Sequence, residues 1–186
     1  MTDKPGIRAL GVAESTVDET CTVAGAVVRA DRVVDGAAFA SATVGGLDAT
    51  DAVLSVVDEL GREDLHVVLV GTVAPAWYNL LDLARLDAAT DCPVVAVTFE
   101  GSSGLDAALR EAFDGRALET RLRRYRALPP RTPCSVDGER VFVRALGVES
   151  AAACDLVRRF TPEGGRPEPI RVARTLARAG ARYRDE

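Results

Sequence analysis

Three carboxylates stand where a chain of this pattern could assemble metal chemistry: Glu14, Asp48 and Asp51, with Asp82 further on. Oxygen ligands of this kind hold Mg2+ or Mn2+, and two such ions about 3.5–4 Å apart drive phosphodiester cleavage. Each carboxylate also has a plainer role. Asp48 reads as a helix N-cap, Asp51 as a first-turn charge favoured by the helix dipole, and Glu14 as a solvated acid. Other chemistries have little to work with. His66 is the only histidine, which excludes a multi-histidine metal cage; it opens the apolar run HVVLV, as a structural residue at a strand edge would. The cysteines at 21, 92, 134 and 154 form no C-x-x-C pair. That spacing supports neither a zinc knuckle nor a small disulfide scaffold, so reduced thiols are expected. Gly101-Ser102-Ser103-Gly104 joins a strand to a helix but lacks the Lys-Ser/Thr ending of a P-loop, and reads as a connection.

The cations suggest a second kind of chemistry. Lys4 is the only lysine, and every other basic residue is arginine. Residues 1–115 carry 19 acidic and 7 basic side chains, whereas residues 116–186 carry 9 acidic and 16 basic ones. Two clusters dominate the basic part. Arg121, Arg123, Arg124 and Arg126 surround Tyr125, and Arg171, Arg174, Arg178 and Arg182 fall at helical spacing along the last predicted helix. Arginines beside an aromatic suit a phosphate backbone with unstacked bases, so DNA or RNA is the candidate partner. A solvated helix face, or a basic segment docked on an acidic body, would give the same pattern.

These groups depend on the elements that carry them. Ile7–Val12 reads as a first strand ending near Gly11. Thr22–Arg29 and Val33–Val44 read as a hairpin turning at Ala30-Asp31-Arg32. Val53, Val56, Val57 and Leu60 follow helical spacing, with Gly61 as a stop. Strands are predicted over 66–70 and 94–99, with a helix over 77–89 between them. Helices are also predicted over 105–113, 119–128, 150–160 and 169–183, and a strand pair around Asp137-Gly138. The order is β-β-β-α-β-α-β-α followed by a basic C-terminal extension, an α/β mixed sheet with helices on both faces. The ribonuclease H-like fold begins this way, and it gathers acidic residues from the first strand, the first helix and the fourth strand. The 186 residues suit a single domain over 1–186, with 116–186 as the basic extension packed on the core. No run of about 18 apolar residues is present, so no membrane span is expected, and no signal-like core follows Lys4. The expected location is cytoplasmic; nothing in the pattern fixes an oligomeric state.

Specific strings resemble a family. Gly11-Val12, Val34-Asp35-Gly36, Gly46-Leu47-Asp48-Ala49-Thr50-Asp51, Tyr78-Asn79-Leu80-Leu81-Asp82 and Pro167-Glu168-Pro169-Ile170-Arg171-Val172-Ala173 occur in order along the chain. They resemble the archaeal "domain of unknown function 99" family (uncharacterised protein family 0215), which is similar to endonuclease V. The resemblance implies an endonuclease V-like, ribonuclease H-like fold, Mg2+ as cofactor if the chain is active, and Glu14, Asp48 and Asp51 as catalytic and metal-binding candidates. It also marks two departures. Family members typically carry adjacent aspartates where this chain has Ala13-Glu14, and Leu-Asp-Gly where it has Leu69-Val70-Gly71. A degenerate metal site on a nucleic-acid-binding scaffold is therefore expected. The alternatives are a working Mg-dependent endonuclease on DNA or RNA, using Glu14, Asp48 and Asp51, and a non-enzymatic protein-interaction module.

Overall fold

Runs of small and β-branched residues in the first third of the chain build a three-stranded meander: β1 (Arg8–Val17), β2 (Thr20–Arg29) and β3 (Val34–Thr43). There follow α1 (Ala49–Leu60), β4 (Leu65–Val70), a single turn α2 (Pro75–Tyr78), α3 (Leu83–Ala89) and β5 (Val94–Thr98). The chain ends with α4 (Asp106–Ala112), α5 (Gly115–Arg126), β6 (Thr132–Val136), β7 (Glu139–Leu146), α6 (Ser150–Arg159) and α7 (Glu168–Asp185). This computed structural model describes residues 6–185. All seven strands join one sheet in the order β3-β2-β1-β4-β5-β7-β6. β4 lies parallel to β1 and β5, and the remaining pairings are antiparallel.

Both faces of the central strands are buried, as their near-continuous aliphatic sequences require. Leu10, Val12, Val68, Val70, Val94 and Ala96 pack beneath α1 and α3 with Val53, Val56 and Leu86. Val67, Leu69, Val95 and Val97 pack on the opposite face with Val157, Phe160 and Ile170. α1 stops at Gly61, whose φ of 54° is the left-handed conformation that closes a helix.

The structure departs from the sequence reading in four places. β1 does not end near Gly11 but runs on to Val17, because β2 pairs with it along its whole length. Gly11 instead marks a close approach. A Cβ there would lie 2.0 Å from the carbonyl carbon of Pro169, so the absent side chain lets the start of α7 rest on the strand. The helix predicted over 77–89 is replaced by a left-handed turn and an extended stretch, with helix only from Leu83. Ala76, Trp77 and Tyr78 all have positive φ. The region 116–186 supplies β6 and β7 as well as α6 and α7, and β7 hydrogen-bonds to β5, so this part completes the sheet. Finally, Cys134 and Cys154 form a disulfide where reduced thiols were expected. β6 and α6 pack face to face with these Cα atoms 5.8 Å apart, a proximity that a separation of 20 residues does not announce. Cys21 and Cys92 are free thiols.

Candidate functional site

The sheet brings the ends of β1 and β4 together, with the Gly71 N–H donating to the Val12 carbonyl at 3.1 Å. α1 begins nearby, so the three candidate carboxylates belong to one region of the molecule. Their side chains nevertheless engage three separate sets of partners.

Asp48 occupies the N-cap position of α1 but does not cap it with its side chain. Its carboxylate accepts from the Thr43 N–H at 3.1 Å, the Thr43 hydroxyl at 2.8 Å and the Asn79 Nδ2 at 2.6 Å. Asn79, fully buried, completes the node. It donates to the Thr43 carbonyl at 2.8 Å, and its Oδ1 takes the Ala49 N–H at 2.9 Å, capping α1 from outside the helix. Burial raises the Asp48 pKa, but the hydrogen bonds from Asn79 and Thr43 outweigh it and hold the group below the usual carboxylate range. Asp51 pairs with Arg85 at 2.6 Å, both side chains being more than half exposed. Asp82 caps α3 by accepting from the Arg85 N–H at 3.1 Å, and its own N–H donates to the buried Thr50 hydroxyl at 3.0 Å.

Glu14 projects from β1 on the α1 side of the sheet. It accepts from the Thr16 hydroxyl at 3.2 Å and lies 3.7 Å from the Cys21 Sγ. Burial, with the Glu14 charge beside it, pushes the Cys21 thiol up to about 12, so this cysteine is a neutral packing residue. A narrow hollow of about 20 Å³ lies at the ends of β1 and β4, lined by Val12, Ala13, Val70, Gly71 and Pro75, with Glu14 its only ionisable residue. Among the described residues no group of three or more His, Cys, Asp or Glu side chains is placed to hold a metal ion.

The arginines divide by environment. Arg121 is only 3% exposed. It donates to the carbonyls of Tyr78 at 3.2 Å, Gly46 at 3.0 Å and Gly45, and its guanidinium stacks 3.8 Å over Phe113. Burial, then the nearby Arg124 charge, lowers its pKa. Arg124 donates to the Leu47 and Leu80 carbonyls at 3.0 and 3.3 Å. These two arginines pin the loop before α1 to α5, and their donors face inward rather than toward a polymer. Arg126 pairs with Asp106 at 2.6 Å, and Arg171 with Glu168 at 2.7 Å. Arg123, Arg174, Arg178 and Arg182 have no hydrogen-bond or ion-pair partner among the described residues.

Several residues shape this region through contacts that the sequence does not announce, although Thr50 and Asn79 stand in the family-like strings. Thr43 orders the Asp48 carboxylate and Thr50 the Asp82 N–H, and a threonine carries no sequence signal for either contact. Asn79, alone among apolar neighbours in WYNLL, carried a faint one. Arg131 and Arg144 line a cleft of about 490 Å³ beyond β4 and β5, together with Tyr78, Tyr125 and Ser102. Arg131 stacks 3.9 Å over Phe142 and donates to the Thr98 hydroxyl at 3.0 Å.

With this geometry in hand, known proteins place the chain. The family model described as Endonuclease dU matches residues 5–180. A UPF0215 protein of Pyrobaculum aerophilum is 32% identical over 178 residues, covering 94% of each chain. A UPF0215 protein of Thermococcus kodakarensis is 31% identical, covering 95% of this chain and 93% of its own. A crystal structure of a protein of unknown function from Archaeoglobus fulgidus superposes with a TM-score of 0.81 at 27% identity, over 93% of this chain and 97% of its own. Human endonuclease V superposes with a TM-score of 0.65 at 17% identity, over 97% of this chain and 86% of that one, a likeness of fold alone. The α/β, ribonuclease H-like architecture expected from the element order is the fold of the molecule, and no helix of the described residues is long and apolar enough to cross a membrane. The chain belongs to the Endonuclease dU family, the group of archaeal UPF0215 proteins whose fold is that of endonuclease V.

Proposed function

We propose that this protein binds nucleic acid on an endonuclease V-like scaffold whose metal site is degenerate. The observation that carries this reading is the hollow at the ends of β1 and β4. There the fold would gather carboxylates, yet Val12, Ala13, Val70 and Gly71 line the space around a single acid, Glu14. The residues present do not fit a pair of divalent cations. Asp48 is saturated by Thr43 and Asn79, Asp51 is drawn to Arg85, and Asp82 caps α3. Hard cations depend on several charged oxygens converging, and one carboxylate in an apolar hollow supplies too few.

Support for nucleic acid as partner comes from the fold and from the arginines left without partners. Endonuclease V of Ciona intestinalis, a structural neighbour, was crystallised with DNA containing inosine, and Argonaute of Marinitoga piezophila with guide RNA and target DNA. The family name directs the choice of probe toward strands containing deoxyuridine. The test is a gel shift and a cleavage assay on single- and double-stranded DNA and RNA, with deoxyuridine or inosine, with and without Mg2+ or Mn2+. The reading expects binding that weakens with salt and no metal-dependent cutting. Cutting that disappears in both Glu14→Gln and Asp48→Asn would establish a working nuclease instead.

A further inference from the structure

Eight arginines among the described residues pair with a nearby carboxylate in the contacts seen. Arg8 and Arg62 share Asp35 and Asp64, Arg85 takes Asp51, and Arg126 takes Asp106. One group departs from that pattern. The guanidinium of Arg166 lies 4.6 Å over the ring of Phe99, just beyond the end of β5, and has no carboxylate partner among the described residues. Arg174 and Arg178 stand one turn apart on α7, also without partners. The adjoining face of α7 is fixed to the sheet by Ile170, Ala173, Ala177 and Ala181, each at most 1% exposed, with Arg174 and Arg178 along the edge of that buried stripe. Burial lowers the Arg166 pKa, and the charges of Arg174 and Arg178 lower it further, whereas only the Glu100 charge opposes them. Three guanidinium groups thus share one neighbourhood in which their charges outnumber the nearby Glu100 carboxylate, in a chain whose net charge is −5.

Such a group is completed by an anion with several oxygens. Guanidinium presents a planar fork of donors that matches phosphate geometry, remains charged at any relevant pH, and is weakly hydrated enough to stack on a ring while it binds. We propose that Arg166, Arg174 and Arg178 form a phosphate-binding site that holds the backbone of a nucleic-acid strand along α7. This inference rests on the nucleic-acid reading above and makes it specific. It places the contact on the α7 side of the sheet, adds Arg166 to the expected residues, and leaves Arg121 and Arg124 out. Phe99, held beneath Arg166, supplies an aromatic face beside the same site.

The experiment compares wild-type protein with Arg174→Gln/Arg178→Gln and, separately, Arg166→Gln. Thermal melts of each variant establish that the fold is intact. Each is titrated with a fluorescent single-stranded oligonucleotide over a series of salt concentrations, and with pyrophosphate by calorimetry. The double variant is expected to bind the strand at least tenfold more weakly, with a log–log salt slope shallower by roughly 1.4, the amount expected for two lost phosphate contacts on a single strand. Arg166→Gln is expected to lose about half of that slope change. Unchanged strand affinity and slope in both variants, with the wild type binding well, would overturn the site while leaving the nucleic-acid reading standing. Loss of pyrophosphate binding in the variants, when even the wild type ignores the strand, would identify a small-anion site and overturn both the nucleic-acid reading and the strand as the occupant of this site. Absence of both bindings in the wild type would overturn both.

Discussion

Replacing Arg121 by Met separates a structural arginine from a ligand-binding one. The Arg121 side chain holds three loop carbonyls, those of Gly45, Gly46 and Tyr78, and stacks on Phe113. Losing a charged donor costs about 1 kcal/mol per carbonyl when water can partly replace it, as it can at the half-buried Gly45 and Gly46. The lost stacking adds about 1 kcal/mol. Methionine fills most of the aliphatic volume and removes the desolvation of a buried charge, which returns a similar amount. The net expectation is a loss of about 3 kcal/mol. For a domain of this size that corresponds to a fall in Tm of roughly 6–12 °C. Urea unfolding and thermal melts read the stability, and oligonucleotide titration well below the new Tm reads function. The reasoning is refuted if the Tm is unchanged while strand affinity drops tenfold, because Arg121 would then face the ligand and not the loop.

Asp48→Asn should destabilise the protein by about 1 kcal/mol at neutral pH. The sign follows from the depressed Asp48 pKa. The stabilisation is fully present above the unfolded-state value of about 3.9 and is lost as the pH falls through the folded value, so urea curves of variant and wild type should converge in acid. Gly11→Ala places a Cβ within 2.5 Å of three backbone atoms of Pro169 and Ile170, and should cost about 3 kcal/mol or prevent folding, as circular dichroism would show. Reducing the Cys134–Cys154 disulfide, which closes a 20-residue separation, should lower stability by about 3 kcal/mol, measurable as a shift in urea midpoint with and without reductant.

Local chemistry made much of the fold legible. The aliphatic runs of β4 and β5 and the small and β-branched runs of β2 and β3 read directly as strands, and the α1 spacing with Gly61 defined a helix and its stop. Position 77–89 was misread because Leu80, Leu81, Leu83 and Leu86 sit at spacings a helix would use. In the fold Leu80 and Leu81 enter different clusters from an extended backbone, which Asn79 and Thr50 tie down through contacts distant in sequence. That Leu69-Val70-Gly71 carries no acid is visible without coordinates. The role of each acid that remains is not. Whether Asp48 caps its own helix or accepts from Thr43 and Asn79 depends on a residue 31 positions away. The arginine runs looked alike in sequence, because a guanidinium turned inward onto carbonyls leaves the same spacing as one turned to solvent.

Metal binding in this fold is decided at the strand-end hollow around Glu14. Mn2+ titration followed by electron paramagnetic resonance, on the wild type and on Glu14→Gln, tests it most directly. The expected result is no saturable binding at micromolar Mn2+, with identical spectra for the two proteins. Two tightly held ions with a spin-coupled signature, lost in Glu14→Gln, would contradict it.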